Sequence, residues 1–291
     1  MRLKSALRRG VAAAVIAGIV VSSGIPAYAI RWDIADGNIT VKGASDESGN
    51  YNEVKQGDNA FKKDEGETVI TGKSKEHTVT IDTSEGNVDV TFDDLKIDVS
   101  GKKEGDGNDD GPVRESNAAV TVQGDNDAAI ELDGDNELKS GGKNAGLEKN
   151  GNESSGKLTI KDDNDTKGSL TAEGGAGGGA GIGGKHESGA GNIEITGGTI
   201  KAEGGEGAAG IGGGVYGIGH DIEISGGKVS ATGGNANKNL ESSRPGAAGI
   251  GDGAGTGGTG AGTGGEIVPD APSNPNPVSY THLTLPTNSR V

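Results

Sequence analysis

Short apolar segments separated by glycine and polar residues recur along the middle of the chain, and their alternation is that of β-strands. In Ile193-Glu-Ile195 two isoleucines flank an acidic residue, which places both isoleucines on one face of a strand. The same element returns as Ile222-Glu-Ile224. A strand this short is unstable alone, so its stability must come from stacking on its copy in the next repeat.

Each repeat unit has three such apolar segments. The first is the motif Ala-Gly-Ile-Gly, the second is Ile-Glu-Ile, and the third carries Ile200 in one unit and Val229 in the next. The first motif occurs at 180–183, 209–212 and 248–251. Weaker copies precede these: we align Asn117-Ala-Ala-Val120 and Asn144-Ala-Gly-Leu147 with the first segment, Ile130-Glu-Leu132 and Leu158-Thr-Ile160 with the second, and Leu138 and Leu170 with the third.

The N-terminal half has strand candidates of the same kind. Thr78–Ile81, Val88–Val90 and Leu95–Val99 alternate, and Ile39–Val41 and Val69–Ile70 are candidates for a first unit. We therefore predict an all-β fold, a right-handed parallel β-helix (solenoid) of about six coils over roughly 36–265. A disordered glycine-rich chain is the alternative that low hydrophobicity and high charge permit.

Composition agrees with a core of aliphatic ladders. The 291 residues include 58 glycines and no cysteine, with only one Trp, four Tyr and two Phe. Such a chain lacks the side chains for the aromatic-rich core of an ordinary α/β enzyme, and its glycine content opposes long helices. The formal net charge of −16 argues against a nucleic-acid partner, because phosphate binding needs a basic face.

Both ends of the chain differ from the repeat region. Residues 1–29 have the basic start, short apolar stretch and Ala27-Tyr-Ala29 site of a cleaved signal peptide, although an uncleaved anchor is the alternative. We expect no membrane span after cleavage and a secreted or cell-surface location. Residues 30–266 form the predicted domain, and 267–277 read as a proline-rich linker. Residues 278–291 resemble the translation of a sequencing-library adapter, so we expect an artefact here and a natural chain that continues.

The repeats resemble a known family. The strand pairs of Thr78–Val99, Ala118–Leu138 and Leu158–Ala172 are similar to the bacterial extracellular carbohydrate-binding β-helix domain family of Firmicutes, whose surface proteins carry similar Ala-Gly-Ile-Gly-Gly repeats. The resemblance implies polysaccharide binding on a calcium-containing right-handed β-helix. The matching motifs are ladder and turn motifs, so they bear on fold more directly than on function.

Calcium is the predicted cofactor. Asp106, Asn108 and Asp110 alternate before a glycine as in the first half of a calcium loop, but the twelfth position is Asn117 rather than Glu, which excludes an EF-hand. Acidic residues also alternate in what we expect to be two stacked turns. These further candidate ligands are Asp133, Asp135, Glu137, Asp163 and Asp165. Solvated turns, in which Asp and Asn are favoured anyway, are the alternative.

The sequence leaves three functional hypotheses. The first is a non-catalytic protein that binds a plant or mucosal polysaccharide, with Tyr216 as the candidate stacking residue, although this side chain could equally cap a corner of the coil. The second is a structural stalk or adhesin spacer that displays a missing C-terminal module. The third is a calcium-dependent lyase-like enzyme, for which Arg114 near Asp106–Asp110 is the one arrangement to test. We expect no enzyme.

Overall fold

The computed structural model describes residues 29–47, 49–64, 66–101, 117–235 and 246–255, together with the backbone of 266–267 and 278–280. Over these residues the chain is all-β, with one short 3-10 helix at Ile34–Asp36. The strands in chain order are β1 Ile30–Asp33, β2 Ile39–Asp46, β3 Gly49–Gln56, β4 Lys62–Asp64, β5 Thr68–Ser74, β6 Val79–Asp82, β7 Val88–Asp98, β8 Val120–Gln123, β9 Ala128–Lys139, β10 Leu147–Glu148, β11 Leu158–Lys161, β12 Gly168–Glu173, β13 Ile182–Gly183, β14 Ile193–Ile195, β15 Thr199–Glu203, β16 Ile211–Gly212, β17 Ile222–Ile224, β18 Lys228–Thr232, β19 Ile250–Gly251, β20 Glu266–Ile267 and β21 Val278–Tyr280.

The strands form two long sheets in which equivalent segments of successive repeats pair in parallel. One sheet follows the order β19-β16-β13-β10-β8-β6-β2 and is extended by β3 and β4. In the other, β9 pairs with β7 on one side and with both β11 and β12 on the other, so two columns of shorter strands continue from it. This arrangement is compatible with the predicted parallel β-helix.

Register confirms the repeat in the C-terminal units. Ile182 pairs with Ile211 and Ile211 with Ile250, so the Ala-Gly-Ile-Gly motifs stack directly. Ile193 and Ile195 pair with the equivalent residues of the next Ile-Glu-Ile element, and Ile200 pairs with Val229. Leu147 pairs with both Ile182 and Val120, which confirms the two weaker copies of the first segment.

Two of the sequence alignments were wrong by two residues. Leu158 pairs with Ala128 and Ile160 with Ile130, so the partner of Leu158-Thr-Ile160 is Ala128-Ala-Ile130 rather than Ile130-Glu-Leu132. Leu138 pairs with Ala172, and the partner of Leu170 is Asn136. A slip of two residues keeps every side chain on the same face of a strand, so the apolar pattern alone cannot detect it.

The core between the sheets is almost entirely aliphatic, as the composition indicates. Stacked Val, Ile, Leu and Ala side chains are fully buried from Ile34 to Ala231, and Phe92 is the largest buried side chain among the described residues. Burying aliphatic side chains contributes about 25 cal/mol per Å² of apolar surface removed from water. The ladder of small repeats therefore supplies a hydrophobic core without an aromatic cluster.

Antiparallel strands lie at both ends of the stack. At the N-terminal end, β3 pairs with β2 over its whole length and β4 pairs with β3. At the C-terminal end, β20 pairs with β18 and β21 with β17. The β2–β3–β4 meander positions the candidate site described next.

Candidate functional site in a polar groove

A groove of about 420 Å³ crosses the outward face of β7 and β9 near the N-terminal end. Its floor includes Thr91 and Glu131, which pair in register on neighbouring strands. One wall is Asn50–Asn52 of β3, and the other is Lys161, Asp163 and Asn164 at the end of β11 and just beyond it. Most of the polar groups are amides, hydroxyls and carboxylates, the groups that bind hydroxylated ligands by hydrogen bonds.

The wall formed by β3 is fixed to the sheet by buried hydrogen bonds. The amide of Asn52 donates to Thr68 Oγ1 at 2.9 Å and to the carbonyl oxygen of Asp89 at 2.7 Å. Thr68 Oγ1 in turn donates to Asp64 at 3.0 Å. The meander lies over an outward face that would otherwise be exposed, and Thr91 and Glu131 are accordingly buried. These hydrogen bonds hold the β3 wall against the sheet.

Glu131, Lys161 and Asp163 form a charged cluster in this groove. Glu131 Oε1 accepts hydrogen bonds from the backbone N–H of Asp163 and of Asn164, at 3.0 and 3.3 Å. Lys161 Nζ lies 3.2 Å from Glu131 Oε2 and 3.2 Å from Asp163 Oδ1. Burial and the nearby Asp163 carboxylate raise the pKa of Glu131, whereas the hydrogen bond with Glu131 and the ammonium of Lys161 lower the pKa of Asp163. The cluster thus offers both proton donors and acceptors to a ligand.

Asp133 lies beside this cluster, fully buried at 1% exposure. Its Oδ1 accepts a hydrogen bond of 2.7 Å from the Asn164 amide, while its Oδ2 is buried without a hydrogen-bond partner in the described residues. Burial raises the pKa of Asp133, and the carboxylates of Asp93, Glu67 and Asp162 raise it further. A buried carboxylate among like charges is the electrostatic setting that a cation would relieve.

Two of the other predicted calcium ligands, Asp135 and Glu137, have separate partners. Asp135 accepts a hydrogen bond of 2.8 Å from Ser169 Oγ, and Glu137 lies 2.7 Å from Lys139 Nζ. Asp165 is exposed in the loop that precedes β12, while Asp106, Asn108 and Asp110 lie outside the described residues. Within the part of the chain that the structure describes, no three acidic or histidine side chains are grouped so as to hold a metal ion.

The expected turn at Asp133–Glu137 was wrong, because these residues lie inside the continuous strand β9. The chain bends there at Gly134, whose φ of +62° matches Asp94 (φ +53°) on the neighbouring strand. Pairing with β12 begins at Gly134 itself, opposite Gly168. One residue with a left-handed backbone conformation in each strand therefore changes the strand direction without ending the ladder of backbone hydrogen bonds.

Tyr216 lies apart from the groove, in the loop between β16 and β17. Its ring is 38% exposed and contacts His186 edge-on, with ring centroids 5.7 Å apart. Tyr216 has a φ of +64°, and a Cβ placed on Gly255 would lie 2.5 Å from the tyrosine ring. The side chain therefore packs over the next unit and also presents a partly exposed aromatic face.

His186, the residue that Tyr216 contacts, is largely buried. Its side chain is 16% exposed, and its Nδ1 is buried without a hydrogen-bond partner in the described residues. Burial lowers the pKa of the imidazole, and the nearby Lys143 ammonium lowers it further. The ring is therefore neutral near pH 7 and supports Tyr216 by packing.

Comparisons with known proteins identify no relative. No family model, curated protein or solved structure matches the chain. Across the described residues, no helix has the length and apolar character needed to cross a bilayer.

Sequence reasoning missed the main residues of that groove. Glu131 and Lys161 are ordinary outward positions of alternating strands, and Tyr51 lies in an N-terminal segment without the repeat. The signal that could have found them is Gly49 between two alternating segments, which is typical of a hairpin turn. A β-hairpin predicted next to the first repeat unit would have indicated that the hairpin covers the outward face of the neighbouring sheet.

Proposed function

We propose that the protein is a secreted or cell-surface, non-catalytic polysaccharide-binding protein built on a right-handed parallel β-helix of about six coils. The observation that carries the proposal is the polar groove: about 420 Å³, open at the surface, and lined by amide, hydroxyl and carboxylate side chains together with Tyr51. A groove of this chemistry suits a hydroxyl-rich chain better than an apolar ligand. The sequence resemblance to carbohydrate-binding β-helix domains supports the same class.

The ligand in this proposal is a plant or mucosal glycan. The Lys161 ammonium can donate to one hydroxyl of the glycan, and the exposed Asp163 carboxylate can accept from its neighbour. Tyr51 supplies an aromatic surface at the same groove, and Lys63 Nζ lies 4.1 Å from the centre of its ring. Tyr216 is a second proposed contact, on a different part of the surface.

Calcium remains part of the proposal. The support is the buried Oδ2 of Asp133, which has no hydrogen-bond partner in the described residues, beside the carboxylates of Asp93, Glu67 and Asp162. If an ion binds there, Asp133 would hold it, and the ion would neutralise the crowded carboxylates next to the groove.

The test is affinity electrophoresis of the purified protein in gels containing plant or mucosal polysaccharides, with and without a chelator. We expect retardation by at least one glycan and about tenfold weaker binding for Tyr51→Ala or Asp163→Asn, equivalent to about 1.4 kcal/mol. Phe61→Ala is the control, because Phe61 is an aromatic residue that is 42% exposed and does not line the groove. Equal loss in the control, or no retardation by any glycan, would contradict the proposal.

Two alternatives predict different results in the same experiment. A stalk or adhesin spacer would show no retardation by any glycan, whether or not chelator is present. A lyase-like enzyme would release unsaturated products that absorb in the ultraviolet. Of the arginines that such a mechanism could use, Arg31 is paired with Asp93 at 2.5 Å, and Arg114 lies outside the described residues.

A further inference from the structure

Three lysines surround a pocket of about 320 Å³ on the face formed by the ends of β5 and β7. Lys73 and Lys96 are register partners on these parallel strands, and Lys75 follows just after β5 ends. The turn that carries Lys75 is held by Ser74, whose Oγ accepts hydrogen bonds from the backbone N–H of Glu76 at 3.1 Å and of His77 at 2.8 Å. The three ammonium groups therefore approach one pocket from fixed backbone positions.

Among the described residues, none of these three lysines lies within 4 Å of a carboxylate. The lysine ion pairs found there all involve other lysines. Two acidic residues also line the pocket, and one of them, Glu137, is the register partner of Lys96 on β9. Glu137 is paired with Lys139 at 2.7 Å, and Asp98 accepts a hydrogen bond from the backbone N–H of Ser100 at 3.2 Å. The pocket is thus a local excess of positive charge on a protein whose net charge is −16.

The register places the like charges of Lys73 and Lys96 opposite each other, and the Glu137 carboxylate opposite Lys96 on its other side offsets part of their repulsion. Parallel strands place partner residues about 4.8 Å apart, and like charges directly opposite each other destabilise a sheet. An oxyanion between the two strands would convert the repulsion of Lys73 and Lys96 into two charge-assisted hydrogen bonds.

We propose that the Lys73–Lys75–Lys96 pocket binds the oxyanion substituents, carboxylate or sulfate, of an acidic polysaccharide. This inference rests on the proposed function and assigns the protein a charged subsite separate from the groove. The overall negative charge repels acidic chains at long range, so binding depends on this local patch and weakens steeply as salt rises.

The test compares three ligands with one backbone: neutral dextran, carboxymethyl dextran and dextran sulfate. Binding of the purified protein is measured over a series of salt concentrations for the wild type, for the triple variant K73Q/K75Q/K96Q, and for the control K157Q/K185Q/K201Q. The control removes the same charge from lysines that are paired with Glu194, Glu153 and Glu203. Circular dichroism establishes that all three proteins are folded.

We expect the wild type to prefer one or both charged dextrans over neutral dextran. Each lysine that neutralises a fixed charge on a dense polyanion adds about 0.7 to 0.9 to the slope of log affinity against log salt, so the triple variant should lose about two units of slope. Preference for the carboxymethyl or the sulfated form identifies the oxyanion. Equal effects of the two triple variants would overturn the inference, as would an unchanged slope in K73Q/K75Q/K96Q.

The two proposals fail in different ways. If Tyr51→Ala weakens glycan retardation about tenfold while K73Q/K75Q/K96Q binds charged dextran like the wild type, the lysine subsite is wrong and the groove proposal is supported. If Tyr51→Ala and Asp163→Asn leave glycan retardation unchanged, while K73Q/K75Q/K96Q alone has reduced affinity for charged dextran, the groove proposal is wrong and the lysine subsite is supported.

Discussion

The backbone of Gly212 lies so close to the carbonyl oxygen of Gly251 that a Cβ placed on Gly212 would sit 2.1 Å from that oxygen. The two glycines are register partners in β16 and β19, with φ of +131° and +125°. The second glycine of the Ala-Gly-Ile-Gly motif therefore has two reasons to be glycine. One is its backbone conformation, and the other is the close approach of the next unit.

We predict that Gly212→Ala lowers the free energy of unfolding by about 3 kcal/mol or more, because strain and overlap add. Gly49→Ala is the matched control, since Gly49 has a similar φ of +121° but no atom within 4 Å of its Cβ position. This control should cost only about 1 kcal/mol, from backbone strain alone. Chemical denaturation measures both, and equal losses would show that stacking of the units is not the cause.

A second prediction concerns Asn136, which the structure places in the core opposite Leu170. Its amide donates to the carbonyl oxygens of Asp133 at 3.0 Å and Ser169 at 3.1 Å, and its Oδ1 accepts from the backbone N–H of Leu95 at 2.9 Å. One side chain thus satisfies backbone groups of three neighbouring strand segments.

Asn136→Leu should therefore destabilise the protein by about 3 kcal/mol, although the repeat places leucine at the same position of the next unit. The variant leaves a buried N–H and two carbonyl oxygens without this partner. The control is Asn126→Leu, an exposed amide with one hydrogen bond of 2.6 Å to Thr83, which should cost less than about 1 kcal/mol. A stabilised Asn136→Leu would mean that the local backbone finds other partners.

These residues show how far the sequence could predict the structure. The aliphatic pattern predicts the stacking of Ile182 on Ile211 because both carry the same motif. The same pattern could not place Leu138, since a register slip of two residues leaves its face unchanged and the polar Asn136 occupies a core position. The corner at Gly134 also looks like an ordinary turn in the sequence.

The candidate site was less accessible to sequence reasoning, for a physical reason. Acidic residues were recognised at Asp133 and Asp163, but their environment depends on what covers them. The covering elements are the β2–β3–β4 meander and the loop after β11, which contact β7 and β9 across long separations in the chain. The lysine pocket likewise arises from the pairing of Lys73 with Lys96, which no local pattern encodes.

A third prediction tests the proposed calcium site at Asp133. If an ion binds the Oδ2 of this residue, calcium at 100 times its dissociation constant should stabilise the wild type by about 2.7 kcal/mol. Asp133→Asn should lose that gain, whereas Asp135→Asn should keep it, because Asp135 is exposed and engaged by Ser169.

Thermal unfolding with calcium and with chelator measures the effect. Asp106→Asn/Asp110→Asn is included because these residues were predicted as ligands from sequence. An identical calcium response in the wild type and Asp133→Asn would exclude Asp133 as a ligand. Loss of the calcium response only in the double variant would assign the calcium site to the 106–111 segment.

The last prediction is a pH dependence that arises from Lys149. Its side chain is 1% exposed, and Nζ donates to the carbonyl oxygens of Gly191 at 2.8 Å and Ser154 at 3.1 Å. Burial lowers its pKa from 10.5 to about 8, and the Asp127 carboxylate opposes this shift only in part. Neutral carbonyls replace the lost hydration incompletely, so the folded protein releases this proton more readily than the unfolded chain.

Between pH 8 and 10.5 the unfolded state therefore binds more protons at Lys149, and the free energy of unfolding should rise with pH in this window. The expected gain is about 3 kcal/mol, measured by chemical denaturation at closely spaced pH values. Lysines whose pKa is raised, such as Lys157 and Lys185, lose their stabilising effect only above 10.5, outside the window. Lys149→Met should abolish the rise while Lys157→Met retains it, and a rise that persists in Lys149→Met would assign the effect to another group.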